Sequence, residues 1–154
     1  MKNLSFYFLS RYFYTDYAGC SEIEKKFDRP YAVVLIEYED LTFAIPLRSH
    51  ISHKYAFFTN KEKTKGLDYS KAVPILKDKY IELQAQKYPS TISQSERQML
   101  YNKTKEVEKG LIDYIDKYRN AIKKRHIYAN QQLCKFSCLK YFHTELEIDE
   151  TPII

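Results

Sequence analysis

Tyr31-Ala32-Val33-Val34-Leu35-Ile36-Glu37-Tyr38 and Leu41-Thr42-Phe43-Ala44-Ile45-Pro46-Leu47, with only Glu39-Asp40 between them, decide the fold. Both runs are rich in β-branched and aromatic residues, and a two-residue gap is the spacing of a tight antiparallel hairpin. Glu-Asp is not the pair such turns favour. Pro46 cannot donate to a ladder, so the end of the second strand is expected at an edge or a bulge. Towards the N-terminus, Leu4 to Leu9 reads as a first strand. Arg11 to Lys26, polar and aromatic around Gly19, reads as one or two short helical turns. Towards the C-terminus, Tyr55 to Thr59 reads as a strand, followed by a charged loop from Asn60 to Gly66. Two more strands are predicted over Leu67 to Leu76 and Lys79 to Leu83, around the break at Pro74, and Pro89 to Ile92 closes the β-rich half.

The period then switches. Ser93 with Glu96 three residues later is a capping box, and it opens a long helical stretch. Leu100, Val107, Leu111, Ile115, Tyr118 and Ile122 recur at helical spacing on one stripe. Gly110 is the weak point, costing ~1 kcal/mol relative to alanine. A last helical segment runs from about Asn130 to Tyr141. Strands followed by helices predict a single α+β domain over residues 1–154, an antiparallel sheet, twisted or barrel-like, covered by helices. The acidic tail, 145–154, is either disordered or laid over a basic surface.

Composition bounds the function. In 154 residues, 44% apolar and 29% charged is globular usage, and three glycines argue against collagen-like or glycine-rich phosphate-loop readings. No apolar run approaches the ~18 residues of a membrane span. Residues 1–9 read as a strand rather than a signal peptide, so a soluble cytoplasmic protein is expected. Three cysteines argue against a disulfide framework. The net charge is +5, but the tail holds Glu145, Glu147, Asp149 and Glu150 with no basic residue. Residues 1–144 therefore carry +9, from 25 basic against 16 acidic side chains. Such a body attracts phosphate backbones. Fifteen tyrosines and no tryptophan add stacking faces suited to single-stranded nucleic acid.

The densest chemistry follows the hairpin: Arg48-Ser49-His50-Ile51-Ser52-His53-Lys54-Tyr55. Metal-free RNA cleavage needs a base for the 2′-hydroxyl, an acid for the leaving 5′-oxygen and cations for the charged phosphorane. His50 and His53 are the candidate acid and base, Arg48 and Lys54 the candidate cations; a solvated polar loop is the bland alternative. Lys117, Arg119, Lys123, Lys124 and Arg125 form a second basic set, with Tyr118 beside it as a stacking candidate, and the same cations also suit a helix C-terminus. Lys61, Lys63 and Lys65 form a third. Cys134 and Cys138 share a helix face near His126 and His143, but the spacing lacks the second pair of a zinc site, so no metal or other cofactor is expected.

Four blocks in order resemble a known family: Phe6-Tyr7-Phe8-Leu9-Ser10-Arg11-Tyr12, Arg29-Pro30-Tyr31-Ala32-Val33-Val34-Leu35, Ala44-Ile45-Pro46-Leu47-Arg48-Ser49 and Glu96-Arg97-Gln98-Met99-Leu100-Tyr101. Over residues 4–127 the chain is similar to the endoribonuclease toxins of type III toxin–antitoxin systems, the ToxN/AbiQ/TenpN/CptN group, and most like the CptN branch. The resemblance implies a MazF/Kid-like antiparallel β-barrel core with a long helix and shorter helices around it. It also implies a bacterial enzyme that cuts RNA without metal, leaving 2′,3′-cyclic phosphate and 5′-hydroxyl ends. The implied partner is a small structured antitoxin RNA, cut by the toxin from a repetitive transcript and held in a closed cyclic protein–RNA assembly. Cellular RNA is the implied substrate of the free toxin, with growth arrest and phage defence as outcomes; neither DNA nor membrane is expected as a partner. By position, Ser49 would hold a phosphate oxygen, Lys54 and Arg48 would stabilise the phosphorane, and Tyr12, with Tyr14 as the alternative, would orient the scissile nucleotide. Tyr31 joins the RNA-binding set. Arg48 stands where the family has a hydroxyl, and the lysine spacing differs. Two rival readings remain open: a non-catalytic RNA-binding module and a protein-interaction regulator with an acidic partner.

Overall fold

The computed structural model describes residues 5–23, 32–82 and 93–151. Among these, six strands form one antiparallel sheet: β1 (Phe6–Phe8), β2 (Ala32–Tyr38), β3 (Leu41–Arg48), β4 (Ala56–Phe58), β5 (Gly66–Asp68) and β6 (Val73–Pro74). The order is β1-β2-β3-β5-β4, with β6 also beside β3. The hairpin forms as read. Glu39 and Asp40 take φ of 53° and 63°, the left-handed pair that keeps a two-residue turn in step with strand twist. The cost to two non-glycine residues is offset at Glu39, whose carboxylate accepts hydrogen bonds of 3.0 and 2.7 Å from Arg119.

Pro46 lies inside β3 opposite Val33. On its other side β5 pairs with residues 47–48 and β6 with residues 43–44. The turn Tyr69–Lys71 interrupts the ladder between them, so the missing N–H falls opposite a gap. Pro46 is thus neither at an edge nor at a bulge: it sits in regular register with β2, in an interior strand, where the interrupted neighbour asks for no donor.

The expected closed barrel does not form. Closure would need the chain leaving β6 to ladder continuously onto the free side of β1. Instead the 3-10 turn Asp78–Tyr80 intervenes, and a single bridge joins Leu9 to Ile81. The strand predicted over 79–83 is therefore this turn and bridge. Likewise the strand predicted over 67–76 breaks into β5, a 3-10 turn and β6, because the Asp68 side chain accepts from Ser70 N and caps the turn. Leu83, Tyr31 and the predicted run at 89–92 lie outside the described residues, as does 24–26 of the first helical stretch.

The helices are α1 (Arg11–Asp16), α2 (Gln94–Asn102), α3 (Thr104–Lys123) and α4 (Tyr128–Phe136). Ser93 and Glu96 make both bonds of the capping box that starts α2. The predicted long helix breaks at Lys103, where Thr104 Oγ1 donates to the Tyr101 and Leu100 carbonyls at 3.1 and 3.5 Å. Such back-bonding competes with the helix's own bonds. Leu100, Val107, Leu111, Ile115, Tyr118 and Ile122 are all buried, in one cluster with Phe6, Val34, Phe43 and Ile45 of the sheet. Gly110 is explained by that packing: a Cβ there would lie 2.2 Å from Tyr69 Oη, which donates to the Val107 carbonyl. Among the described residues no helix is long and apolar enough to cross a membrane.

Candidate functional site

β3 and β5 pair antiparallel with Arg48 opposite Gly66, and Asp68, two residues on from Gly66, falls on the same face of the sheet as Arg48. Arg48 Nη1 donates to Asp68 Oδ2 at 2.7 Å. Asp68 is fully buried and also accepts from Ser70 Oγ at 2.6 Å and Ser70 N at 2.9 Å. Burial pushes its carboxyl up the pKa scale, but the bonds from His53, Ser70 and Arg48 win and hold it below the usual carboxylate range. It is thus an anion at neutral pH, fixing the groups in front of it.

His53 is one of those groups. Its Nε2 lies 3.3 Å from Asp68 and 3.3 Å from Ser70 Oγ. Its Nδ1 accepts the Tyr55 backbone N–H at 3.0 Å. An accepting Nδ1 requires the neutral ring to carry its proton on Nε2. The ring therefore offers a donor towards Asp68 and Ser70, while its lone pair is engaged by the backbone.

Tyr55, which follows Lys54, holds the cluster together. Its ring is half-buried, 5.8 Å from the His53 ring and 5.8 Å from Tyr114 of α3. Lys54 Nζ lies 5.7 Å and Lys117 Nζ 5.9 Å from the Tyr55 centroid. The approach of α3 thus moves Lys117 from the helix-end set into the loop cluster. His53, Lys54 and Lys117 surround one phenol ring, and Arg48 joins them through the buried Asp68 carboxylate that it shares with His53. Cations beside an aromatic face suit a ligand that carries both phosphate and base.

Beneath Arg48, a cavity of about 40 Å³ opens between β3 and α1, with Lys71 and Glu22 at its rim. It admits a few waters at most, so this cavity is too small for a nucleotide. Lys71 Nζ pairs with Glu22 at 3.3 Å and donates to the Phe136 carbonyl at 2.9 Å.

The remaining expected site residues go elsewhere. Ser49 and His50 are exposed in the turn after β3. Tyr12 is exposed on α1, with Lys79 Nζ 5.1 Å and Arg11 Cζ 5.5 Å from its centroid; its neighbours Phe13 and Tyr14, not Tyr12, line the cavity. Tyr118, expected to stack on bases, is fully buried, and its hydroxyl meets His143 Nε2 at 2.6 Å. Arg119 is committed to Glu39 and to the Leu146 carbonyl at 2.9 Å, so it fastens the hairpin turn and the tail to α3. Lys65 pairs with Glu96 at 3.1 Å. Arg125 donates to the Ile122 carbonyl at 2.6 Å, while Lys123 and Lys124 are exposed. Lys61 and Lys63 are exposed in the β4–β5 loop.

Cys138 Sγ donates to the Glu22 carbonyl, and burial pushes its thiol up to about 12. His143 Nδ1 meets Glu150 at 2.8 Å, so the sulfur and the imidazole serve separate contacts. As for the tail, Leu146 is buried and Glu150 is held by His143; its described part lies against α3.

Asp68, Ser70 and Tyr114 were not picked out from the sequence. Asp68-Tyr69-Ser70 sits in a run that reads as strand, and the one available signal was an Asp followed two residues on by Ser, which favours a capped turn. No protein-family model, no curated protein and no solved structure matches the chain.

Proposed function

We propose that this protein binds single-stranded RNA across the Tyr55 cluster and cleaves it without metal by attack of the substrate's own 2′-hydroxyl. The reading makes it a type III toxin, cutting cellular RNA and held inactive by a small structured antitoxin RNA. The observation that carries it is the convergence of His53, Lys54 and Lys117 around the Tyr55 ring, with Arg48 tied to His53 through Asp68. The four-block resemblance supplies the reaction class and the partner.

In this scheme Lys54 and Lys117 offset the charge that grows on the non-bridging oxygens, which is where fixed cations lower a barrier. Asp68 orients Arg48 and His53. His53 hydrogen-bonds through Nε2 and does not transfer its proton, since its Nδ1 accepts from Tyr55 N; water takes the 2′-hydroxyl proton and gives one to the leaving 5′-oxygen. Products carry 2′,3′-cyclic phosphate and 5′-hydroxyl ends. The test is to express the protein with its native upstream DNA, purify it, and run the co-purifying nucleic acid on a denaturing gel. One discrete short RNA with cyclic ends is expected.

The engaged Nδ1 also favours a second reading, an RNA-binding module without cleavage. It predicts bound RNA whose ends are unrelated to the protein.

A further inference from the structure

The loop that follows β3 and carries His53 and Lys54 meets the β4–β5 loop. Ile51 N donates to the Thr64 carbonyl at 2.8 Å, which brings the loop after β3 to about one strand spacing, ~5 Å, from the β4–β5 loop. The residue before each partner is basic or imidazole, exposed and left-handed: His50 at φ 58° and Lys63 at φ 56°. Left-handed backbone is rare outside glycine, more so for lysine than for histidine. Glycine would relieve both positions.

The β4–β5 loop is also braced from within. Asn60 Oδ1 accepts from Thr64 N and Lys65 N at 3.0 and 3.1 Å, and Asn60 Nδ2 donates to Thr64 Oγ1 at 2.9 Å. Thr59 Oγ1 donates to Glu96 at 2.6 Å, and Lys65 reaches the same carboxylate. The β4–β5 loop is thus tied to the capping box of α2. Its tip holds Lys61, Glu62 and Lys63, all exposed, so the carboxylate of Glu62 faces outward beside two ammonium groups.

We infer that His50 and Lys63 form a second phosphate subsite, which seats the RNA backbone one step away from the Tyr55 cluster. The inference rests on the RNA reading and adds to it a role for residues that the cluster leaves out. Strained non-glycine residues persist where their side chains are used. The other left-handed residues among those described have different settings: Glu39 and Asp40 form the hairpin turn, and Glu147 lies in the acidic tail. His50 and Lys63 alone among the five can donate to a phosphate.

The test uses a fluorescent 2′-O-methyl oligoribonucleotide of mixed sequence, which cannot be cleaved, and the full chain carrying His50→Gly, Lys63→Gly or Lys63→Asn. Relief of strain is expected to raise Tm by about 1–3 °C in each glycine variant. Affinity is expected to fall about fivefold per variant, and the salt slope to fall by about 0.7 in Lys63→Gly, the value for one lost single-strand phosphate contact. Lys63→Asn keeps the backbone and removes the charge, so it must lose affinity equally. Undiminished affinity in all three variants, with binding lost in Lys54→Ala/Lys117→Ala, overturns the subsite and leaves the RNA reading standing. No binding by the wild-type chain overturns both.

Discussion

Replacing Asp68 by alanine removes the carboxylate that accepts from Arg48 Nη1 at 2.7 Å, Ser70 Oγ at 2.6 Å and Ser70 N at 2.9 Å, with His53 Nε2 at 3.3 Å. Deleting one partner of a buried ion pair costs about 3–5 kcal/mol, because the other charge is left uncompensated. The Arg48 side chain is 22% exposed, so water reaches the stranded guanidinium and the lower end applies, about 3 kcal/mol. For a chain of this size that lowers Tm by about 6–12 °C. Urea unfolding followed by far-UV circular dichroism measures it, since the chain has no tryptophan. Asp68→Asn keeps the volume and one acceptor, so its loss is smaller. Acid separates the charge from the shape. Because the folded carboxyl titrates below its unfolded value of about 3.9, its contribution is present above that pH and is lost as pH falls through the folded value. The gap between wild type and Asp68→Asn is therefore full at pH 6 and narrows below about pH 4. A loss in Asp68→Ala below about 1 kcal/mol, or a gap unchanged in acid, refutes the view that this carboxylate organises the cluster.

Gly110→Ala, which in an ordinary helix gains ~1 kcal/mol, is expected to destabilise by about 1–3 kcal/mol through the clash with Tyr69; thermal melting gives the sign. Arg119→Ala loosens the hairpin turn, with a stability cost of about 1 kcal/mol and RNA affinity unchanged. Lys117→Ala does the opposite, leaving stability within about 0.5 kcal/mol while weakening binding, and fluorescence anisotropy with urea titration distinguishes the two. Cys138 is expected to resist iodoacetamide at pH 8 in the folded protein and to react after unfolding, read by mass spectrometry, because the buried thiol titrates near 12.

The parts of the fold that were legible are those where local chemistry and burial agree. The β2–β3 hairpin and the stripe from Leu100 to Ile122 repeat one pattern over many residues, and Ser93 with Glu96 is a self-contained cap. Where a single side chain redirects the backbone, periodicity is blind. Asp68 turns a strand-like run into a 3-10 turn, Thr104 splits a helix, and a turn at 78–80 keeps the sheet open. In the site, Arg48, His53 and Lys54 were legible because seven residues of sequence hold them together. Lys117 belongs with them only through the packing of α3, and Asp68 only through the pairing of β3 with β5. Tyr118 shows the reverse error: a tyrosine within a basic run reads as a stacking platform, yet its helical phase carries it inward.

The most direct test of the Tyr55 cluster as an RNA-cleaving site is to incubate the purified protein with end-labelled single-stranded RNA in EDTA. The wild-type chain is predicted to give fragments with 2′,3′-cyclic phosphate ends, and Lys54→Ala/Lys117→Ala to leave the RNA whole while keeping the wild-type Tm. Intact RNA with the wild-type chain, or equal cleavage by the folded double variant, contradicts it.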